Sequence, residues 1–526
     1  MKRIAAYAMV FILSVSVWSS AFSTGQISQV EVANINGSGA QVYVESQKQI
    51  IELTAATAKT ATPDDGDFFD EPQVESLTKV SDNFGYINNE ILVFFENGTP
   101  FLKKLEIAKS IGANITGYLG ILNRYQFRVE STDIEGIQAI CNELMENDEV
   151  ALASCNFAIK YQNTNIPEDP WTEGDGIEYT YGWDESLPAG SNWWLEAIQT
   201  MSAWEYNEYF NHIGIGIVDS GFDNMHEDLC DVITFPNAKL ERQNSIDDHG
   251  THVSGIIAAS ANNGKGITGI CHNVTLHCVD WEPEDLQLWL TAERLLTGLA
   301  YTVRDGAKVI NYSVGSSLAV PETEFFLHLF NVYLDIEAKV VSYVMATLLN
   351  EGYDFIVVQS AGNDSIDAHY NSLFCSINEH NAYTGKPNVS AQDIIDRIIV
   401  VGAAENLGNG NFQQAYFSNG GDRVDICAPG YGIFSCYASK NGGYGYMSGT
   451  SMASPIVTAV TALVWSVDPS LSGDVVKSIV CDPENTCYEV EDNTSEIHPL
   501  VDTYRMVNAK LAVEAAIELL HPTELE

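Results

Sequence analysis

Basic residues are scarce in this chain: lysine and arginine number 25 in 526 residues against 71 aspartates and glutamates, a formal net charge of −46 at pH 7. A protein that neutralises the phosphates of a nucleic acid or an anionic bilayer carries the opposite sign, so both partner classes are excluded. The imbalance is concentrated toward the C-terminus: residues 1–163 hold 11 basic and 20 acidic residues, and the other 51 acids lie beyond. The simplest reading is an acidic, well-solvated surface, although clustered carboxylates are also the chemistry of calcium binding. No C-x-x-C pair occurs, which removes the common zinc and dithiol-redox signatures. Internal repeats are absent. Past the N-terminus no run is long and apolar enough to span a membrane, because Pro455 and Asp468 bound the best candidate.

What is present is core material and a leader. With 45% hydrophobic and 10% aromatic residues, the chain is globular and long enough for more than one domain. It opens "MKRIAAYAMVFILSVSVWSSAFS", two basic residues, a short apolar stretch and then small residues around Ala21 and Ser23. This reads as a secretory signal peptide over residues 1–23, giving a secreted, extracellular protein with no membrane anchor. Ten cysteines suit disulfides in that compartment. Cys427 with Cys436 and Cys481 with Cys487 are close enough in sequence to pair, Cys141 and Cys155 fall together upstream, and the connectivity is open.

Residues 24–82 are mostly polar and read as a leader or linker. Over 83–162 the order is strand "EILVFF", helix "FLKKLEIAKSIGA", strand "NITGYLGIL", strand "YQFRVE", helix "IEGIQAICNELMEN" and strand "VALASCNFAIKY". That β-α-β-β-α-β series is the split βαβ arrangement of a small α+β, ferredoxin-like domain. Residues 163–190, rich in Pro, Gly and acids, read as a linker or surface wrap. From 191 to 526, apolar runs such as "IGIGIV", "VTLHCVD", "AKVINYSVG", "DFIVVQSAGN" and "IIVVGAA" alternate with helical stretches. Alternation of that kind predicts a mainly parallel sheet covered by helices on both faces, a three-layer α/β fold.

Ligands gather at the carboxyl ends of such strands, so the polar residues closing each run are the candidates. "IGIGIVDSG" delivers Asp219, with Asp223 in the turn after it. "DDHGTHVSGIIAAS" places His249 at a helix start with His252 in its first turns, and "DFIVVQSAGNDS" delivers Asn363. "GTSMASPIVTAVTALVWSV" begins a buried helix in which Ser451 or Ser454 suits an N-cap and Pro455 a first-turn proline. Each residue alone has an ordinary structural explanation, as turn cap, core histidine, turn asparagine or helix cap. Together they fill the roles of acyl transfer: a hydroxyl, a base, a carboxylate to orient the imidazole and an amide donor for the oxyanion.

The four segments "GIVDSG", "DDHGTHVSG", "SAGND" and "GTSMASP", in this order, resemble the signature regions of the subtilisin-like serine peptidases. "NYSVGSS", "DRVDICAPG" and "VNAKLAVEAA" are similar to further family segments, so the resemblance runs from about Trp194 to about Ala516. It implies Asp219 as orienting acid, His249 as general base and acid, Ser451 as nucleophile and Asn363 as oxyanion donor beside the Ser451 N–H, with His252 structural. Ser313, Val314 and Gly315, with Ser360, Ala361 and Gly362, are implied to line a groove that binds an extended peptide by strand addition. Such a groove reads mainly backbone, so a broad endopeptidase is expected, and Asp364 is the candidate for favouring Lys or Arg before the cut. The split βαβ unit resembles the family's inhibitory prodomain, which makes the chain a monomeric zymogen expected to cut itself between about Tyr161 and Trp194. "HEDL" at residues 226–229 and the loop "ANNGKGITG" resemble a structural calcium site, with Asp228 and Asn263 as side-chain ligands and backbone carbonyls completing it; catalysis itself needs no cofactor. Two rival readings are a dedicated processing peptidase with a narrow motif and an inactive member of the fold serving as a binding protein.

Overall fold

A computed structural model describes residues 67–80, 84–160, 192–235, 246–281, 289–315, 324–408, 410–491 and 503–520. The stretch read as a signal peptide, most of that read as a leader and residues 163–190, read as a linker, lie outside these residues.

The small α+β unit is built as its alternation suggests. Strand β3 (Phe84–Phe95) is followed by helix α1 (Phe101–Ser110), strands β4 (Asn114–Leu119) and β5 (Arg124–Arg128), helix α2 (Ile134–Met145) and strand β6 (Val150–Lys160). The sheet order β4-β5-β3-β6 is antiparallel throughout, and Asp133 starts α2 by accepting from Gly136 N. Ile91, Val93, Phe127 and Ile137 are fully buried in its core. One boundary differs from the sequence reading, because two short strands in the stretch read as leader belong to this sheet. Strand β1 (Phe68–Phe69) extends the β4 edge and β2 (Leu77–Lys79) pairs with β3. Strands of two and three residues carry too little period for a pattern to be visible.

The larger sheet has ten strands, ordered β14-β18-β19-β15-β13-β12-β11-β7-β9-β8. Its centre is parallel: β7 (Ile213–Asp219), β8 (Ile233–Thr234), β9 (Val274–Asp280), β11 (Ala307–Tyr312), β12 (Ile356–Ser360), β13 (Ile398–Gly408) and β15 (Ile426–Pro429). Strands β14 (Asn411–Gln414), β18 (Thr486–Glu491) and β19 (Thr503–Val507) finish one edge, partly antiparallel. Four helices position the site and the junction between the two units: α3 (Asp248–Ala258), α4 (Ala292–Arg304), α5 (Glu324–Asn350) and α6 (Thr450–Val467). Helix α6 is long and apolar enough to cross a membrane, yet 94% of it is buried inside the protein, packed on β11, β12 and β13 as a core helix.

The two units meet along α4 and α5. Strand β10 (Trp289–Thr291) pairs antiparallel with residues 158–160 of β6, so the small sheet continues into the larger unit. Tyr333 on α5 lies against Phe84 and Phe157, ring centroids 3.9 and 5.1 Å away, and Tyr343 meets Phe94 edge-on at 5.4 Å. Arg124 and Glu293, each with a side chain only 1% exposed, form an ion pair at 2.7 Å across the junction.

All ten cysteines are described, and none of the pairings open in the sequence is formed as a disulfide. Proximity in sequence misleads here because the side chains face different neighbours. Cys427 Sγ lies against Gly402 and Cys436 Sγ against Gly255, while Cys487 Sγ points to the carbonyls of Ala197, Met506 and Val507.

Candidate active site

Strand β7 ends on Asp219, whose carboxylate is fully buried. Its Oδ1 accepts from Ser220 N at 2.7 Å and from His249 Nδ1 at 2.6 Å. The imidazole reaches that carboxylate because α3 begins almost on top of the strand end: Gly250 N donates to Ser220 O at 3.1 Å. A Cβ on Gly250 would fall 2.3 Å from Ser220 O and 2.4 Å from Gly221 O, so only glycine permits the approach. Asp247 caps the same helix, its Oδ1 accepting from His249 N at 2.9 Å and from Ser220 Oγ at 3.2 Å. Burial pulls the His249 pKa down, but the charge and hydrogen bond of Asp219, with the charge of Asp247, outweigh it and hold the imidazole above its ordinary value. His252, one turn on, is buried against Ile433 O at 2.9 Å, and burial drives its pKa down to about 3, so it is a neutral structural residue.

Ser451 stands in the first turn of α6, after the N-cap Gly449. The proline expected in that turn lies deeper, since Pro455 is the sixth residue of the helix. Its missing N–H leaves the Ser451 carbonyl without its intrahelical donor. The Ser313 hydroxyl donates to that carbonyl at 2.7 Å, and Ser451 Oγ donates back to Ser313 O at 3.3 Å. Ser454 is no cap either; it is buried, with Oγ donating to Asn311 Oδ1 at 2.9 Å.

Asn363 follows β12, and its Oδ1 accepts from both the N–H and the hydroxyl of Thr450, each at 2.8 Å. With the oxygen engaged, Nδ2 is the end of the amide left to donate beside Gly449 and Ser451, and a Cβ on Gly449 would lie 3.4 Å from it. Ser313, Val314 and Gly315 continue from β11, while Ser360 closes β12 and Ala361 and Gly362 follow it; Gln359 Nε2 ties the two segments by donating to Val314 O at 3.2 Å. Asp364 is exposed and donates its N–H to Asn419 Oδ1 at 2.9 Å.

The metal expectation falls on Asp228, fully buried and absent from the ion pairs among the described residues. Its carboxylate accepts from Asn263 Nδ2 at 2.5 Å, Ile267 N at 2.9 Å and Tyr444 Oη at 2.9 Å. Burial raises its pKa against those three hydrogen bonds. Among the described residues no group of three or more His, Cys, Asp or Glu could hold a metal. The buried Asp228 carboxylate fits calcium in donor type, but Asn263 presents Nδ2–H to it while Asn263 Oδ1 accepts from Lys265 N at 2.9 Å, so this asparagine ligates an ion only after its amide turns, with backbone oxygens supplying most of the shell.

Sequence reasoning missed two features of this region. Asp247 acts on His249 through the cap, and Asn371, from the stretch after Asn363, donates Nδ2 to Ser360 O at 2.9 Å. The first was visible as the leading acid of "DDHGTH"; the second belongs to no motif.

The Peptidase S8 model, described as the subtilase family, matches residues 211–494. A thermophilic serine proteinase from Bacillus sp. (strain AK1) is 27% identical over 429 residues, covering 80% of this chain and 90% of that protein. Subtilisin DY from Bacillus licheniformis is 27% identical over 270 residues, 51% of this chain and 81% of that one. Among solved structures, fervidolysin from Fervidobacterium pennivorans, a keratinolytic enzyme related to subtilisin, superposes with a TM-score of 0.58 at 21% identity, covering 83% of this chain and 62% of its own.

Proposed function

This chain belongs to the subtilase family of serine peptidases, and from that premise we propose a secreted endopeptidase made as a self-processing zymogen, with Asp219, His249 and Ser451 as its triad. The observation that carries the assignment is the 2.6 Å contact of His249 Nδ1 with the buried Asp219 carboxylate, at the end of the sheet where Ser451 opens α6. Asp219, an acceptor, keeps the proton on Nδ1 and leaves Nε2 as the base. Nε2 removes the Ser451 hydroxyl proton as Oγ attacks the peptide carbonyl carbon. The carbonyl electron pair moves onto oxygen, where Asn363 Nδ2–H and the Ser451 N–H at the helix start receive it. Collapse breaks the C–N bond, and His249 gives its proton to the departing amine. Water then repeats the sequence on the acyl-enzyme and frees Ser451. Losing the Asn363 donor is expected to raise the barrier by ~3 to 4 kcal/mol.

The small unit acts as an inhibitory prodomain in this reading. Its support is the docking on α4 and α5 and the pairing of β6 with β10, which joins the last strand of the small unit to the catalytic unit. Residues 313–315 and 360–362 would bind the extended peptide, first the chain's own segment and then substrate. A tethered segment has a high effective concentration, so the first cut is intramolecular. The N-terminal stretch, read as a signal peptide, and the similarity to bacterial subtilisins support secretion. Calcium at Asp228 and Asn263 would be structural, neutralising a buried charge, with no part in bond making or breaking.

A fluorophosphonate probe should label the processed wild type on Ser451, and Ser451→Ala should stay unlabelled and full-length while wild type shortens between residues 161 and 194. A Ser451→Ala chain that still shortens there, with no other peptidase present, removes this serine from processing. No labelling of wild type favours the binding-protein reading instead.

A further inference from the structure

Between the two groove segments stands a side chain that the proposed mechanism does not use. Asn371 is fully buried. Its amide reaches across the gap from one segment to the other: Nδ2 donates to Ser360 O at 2.9 Å, and a Cβ placed on Gly315 would fall 2.3 Å from Oδ1 and 2.6 Å from Nδ2. On the other side a Cβ on Gly362 would lie 3.3 Å from Asn371 Cγ. At Gly315, therefore, any side chain would collide with this amide, whereas at Gly362 the collision would be with Asn419 Nδ2 at 2.4 Å and the Asn371 amide is the tight neighbour beyond it. Oδ1 itself is buried and has no hydrogen-bond partner among the described residues.

A loose loop would turn such an oxygen toward a donor, and this loop is tightly tied. Gln359 Nε2 donates to Ser372 O at 3.0 Å, and Gln359 Oε1 accepts from Phe374 N at 2.9 Å. Leu373, in the left-handed region at φ 64, donates its N–H to the buried Glu337 carboxylate at 2.8 Å, and Tyr333 donates to the other oxygen of that carboxylate at 2.7 Å. A leucine is held at positive φ only when its surroundings over-determine it. The backbone is thus locked with one carbonyl oxygen of Asn371 unmatched, at the wall of a peptide groove. Buried acceptors are nearly always matched by protein, water or a bound group, and beside a groove a bound side chain can supply that match.

We propose that Asn371 determines which side chain is accepted immediately before the scissile bond, its Oδ1 taking a hydrogen bond from a side chain that ends in an N–H donor. The inference rests on the groove assignment made above. Glutamine and methionine have closely similar lengths, and only glutamine carries the donor. A site built around a hydrogen bond rejects the analogue that lacks it, because the buried group is then left unmatched a second time.

The test uses the processed enzyme and peptides identical except for Gln, Met, Leu or Glu before the cut. Wild type should show a kcat/KM for Gln about 10- to 100-fold above Met. Asn371→Leu, which removes the acceptor, should bring that ratio to about one by losing rate on Gln. Asn371→Asp keeps an acceptor, so it should retain a preference for donor-ended side chains and restore discrimination that Asn371→Leu lacks. Wild type that cuts after Met or Leu as well as after Gln overturns the proposal without any variant, so a poorly folding Asn371→Leu does not block the decision. Absence of both cleavage and fluorophosphonate labelling overturns the peptidase reading, and this inference with it; labelling and cleavage without a Gln preference overturn this inference alone.

Discussion

Replacing Arg124 by methionine should loosen the small unit from the catalytic unit far more than its one ion pair suggests at first sight. Arg124 Nη2 meets Glu293 Oε1 at 2.7 Å and Thr297 Oγ1 at 3.1 Å, while Nη1 reaches Glu293 O at 3.3 Å. Both charges are 1% exposed, so solvent neither screens the pair nor replaces a lost partner. In Arg124→Met the Glu293 carboxylate stays buried and unpaired as long as the units are docked, and regains water only when they separate. Removing one member of a buried pair costs ~3–5 kcal/mol, which at ~1.4 kcal/mol per decade is roughly a 100- to 4,000-fold weaker association. Replacing both members with apolar residues, Arg124→Met with Glu293→Leu, removes the stranded charge and should recover most of the loss.

The assay follows peptidase activity after self-cleavage as the processed complex is diluted, with inhibition by the noncovalently held small unit fitted as a dissociation constant. The single variant should release activity at far higher complex concentrations than wild type, and the double variant should fall near wild type. A single variant within threefold of wild type would refute the reasoning, and so would a double variant as weak as the single, since the penalty would then not come from an unpaired charge.

Other outcomes rest on the same geometry. Activity should rise with pH through the His249 pKa, which lies above the ordinary imidazole value of about 6.5; protonated His249 contributes folding stability in full below that ordinary value and loses it as pH climbs through the raised one, so stability and activity move in opposite senses. Asp247→Asn keeps a capping oxygen but removes the charge, so the acid limb of kcat/KM should move to lower pH with the melting temperature little changed; a limb that stays or moves up contradicts the role given to Asp247. Gly250→Ala drives a Cβ into two backbone oxygens and should displace His249 from Asp219, lowering kcat/KM by about 100-fold in a protein that still folds; activity within twofold of wild type would show that the approach is not required. Saturating calcium should raise the melting temperature of chelator-treated protein, by the equivalent of ~2.7 kcal/mol at a hundredfold excess over Kd, and Asp228→Asn should abolish the rise; an unchanged melting curve in wild type means that no ion binds there.

Legibility followed how locally each feature is encoded. Asp219, His249, Asn363 and Ser451 each close a strand or open a helix whose own apolar run marks the place, so a parallel sheet brings polar ends to one edge without further information. The small α+β unit was equally plain, because its helices and four long strands each span enough residues to show a period. The strands at 68–69 and 77–79 were not. Asp67, for instance, is ordered by Gly120 N at 2.7 Å and by Arg304 at 2.9 Å, partners 53 and 237 residues away that no local pattern announces. Asn371 was hidden for the same reason. Its importance comes from Gly315, a glycine that reads in sequence as an ordinary loop residue and is in fact the room left for its amide.

Pro455 shows how a local rule can name the right residue for the wrong reason. Proline near a helix start reads as a first-turn residue, harmless because the N–H it lacks would be unpaired there anyway. One turn further in, the same proline removes a hydrogen bond that the helix does make, and a buried carbonyl must find another donor. That carbonyl belongs to Ser451, and the donor is Ser313, a residue assigned to the wall of the peptide groove. The proline thus converts an intrahelical bond into a link between the Ser451 backbone and the strand end facing it. The returning contact from Ser451 Oγ to Ser313 O, at 3.3 Å, is long and exchangeable, as suits the attack proposed for this hydroxyl, whereas the 2.7 Å bond through the backbone holds the helix start in register whether or not the hydroxyl has moved.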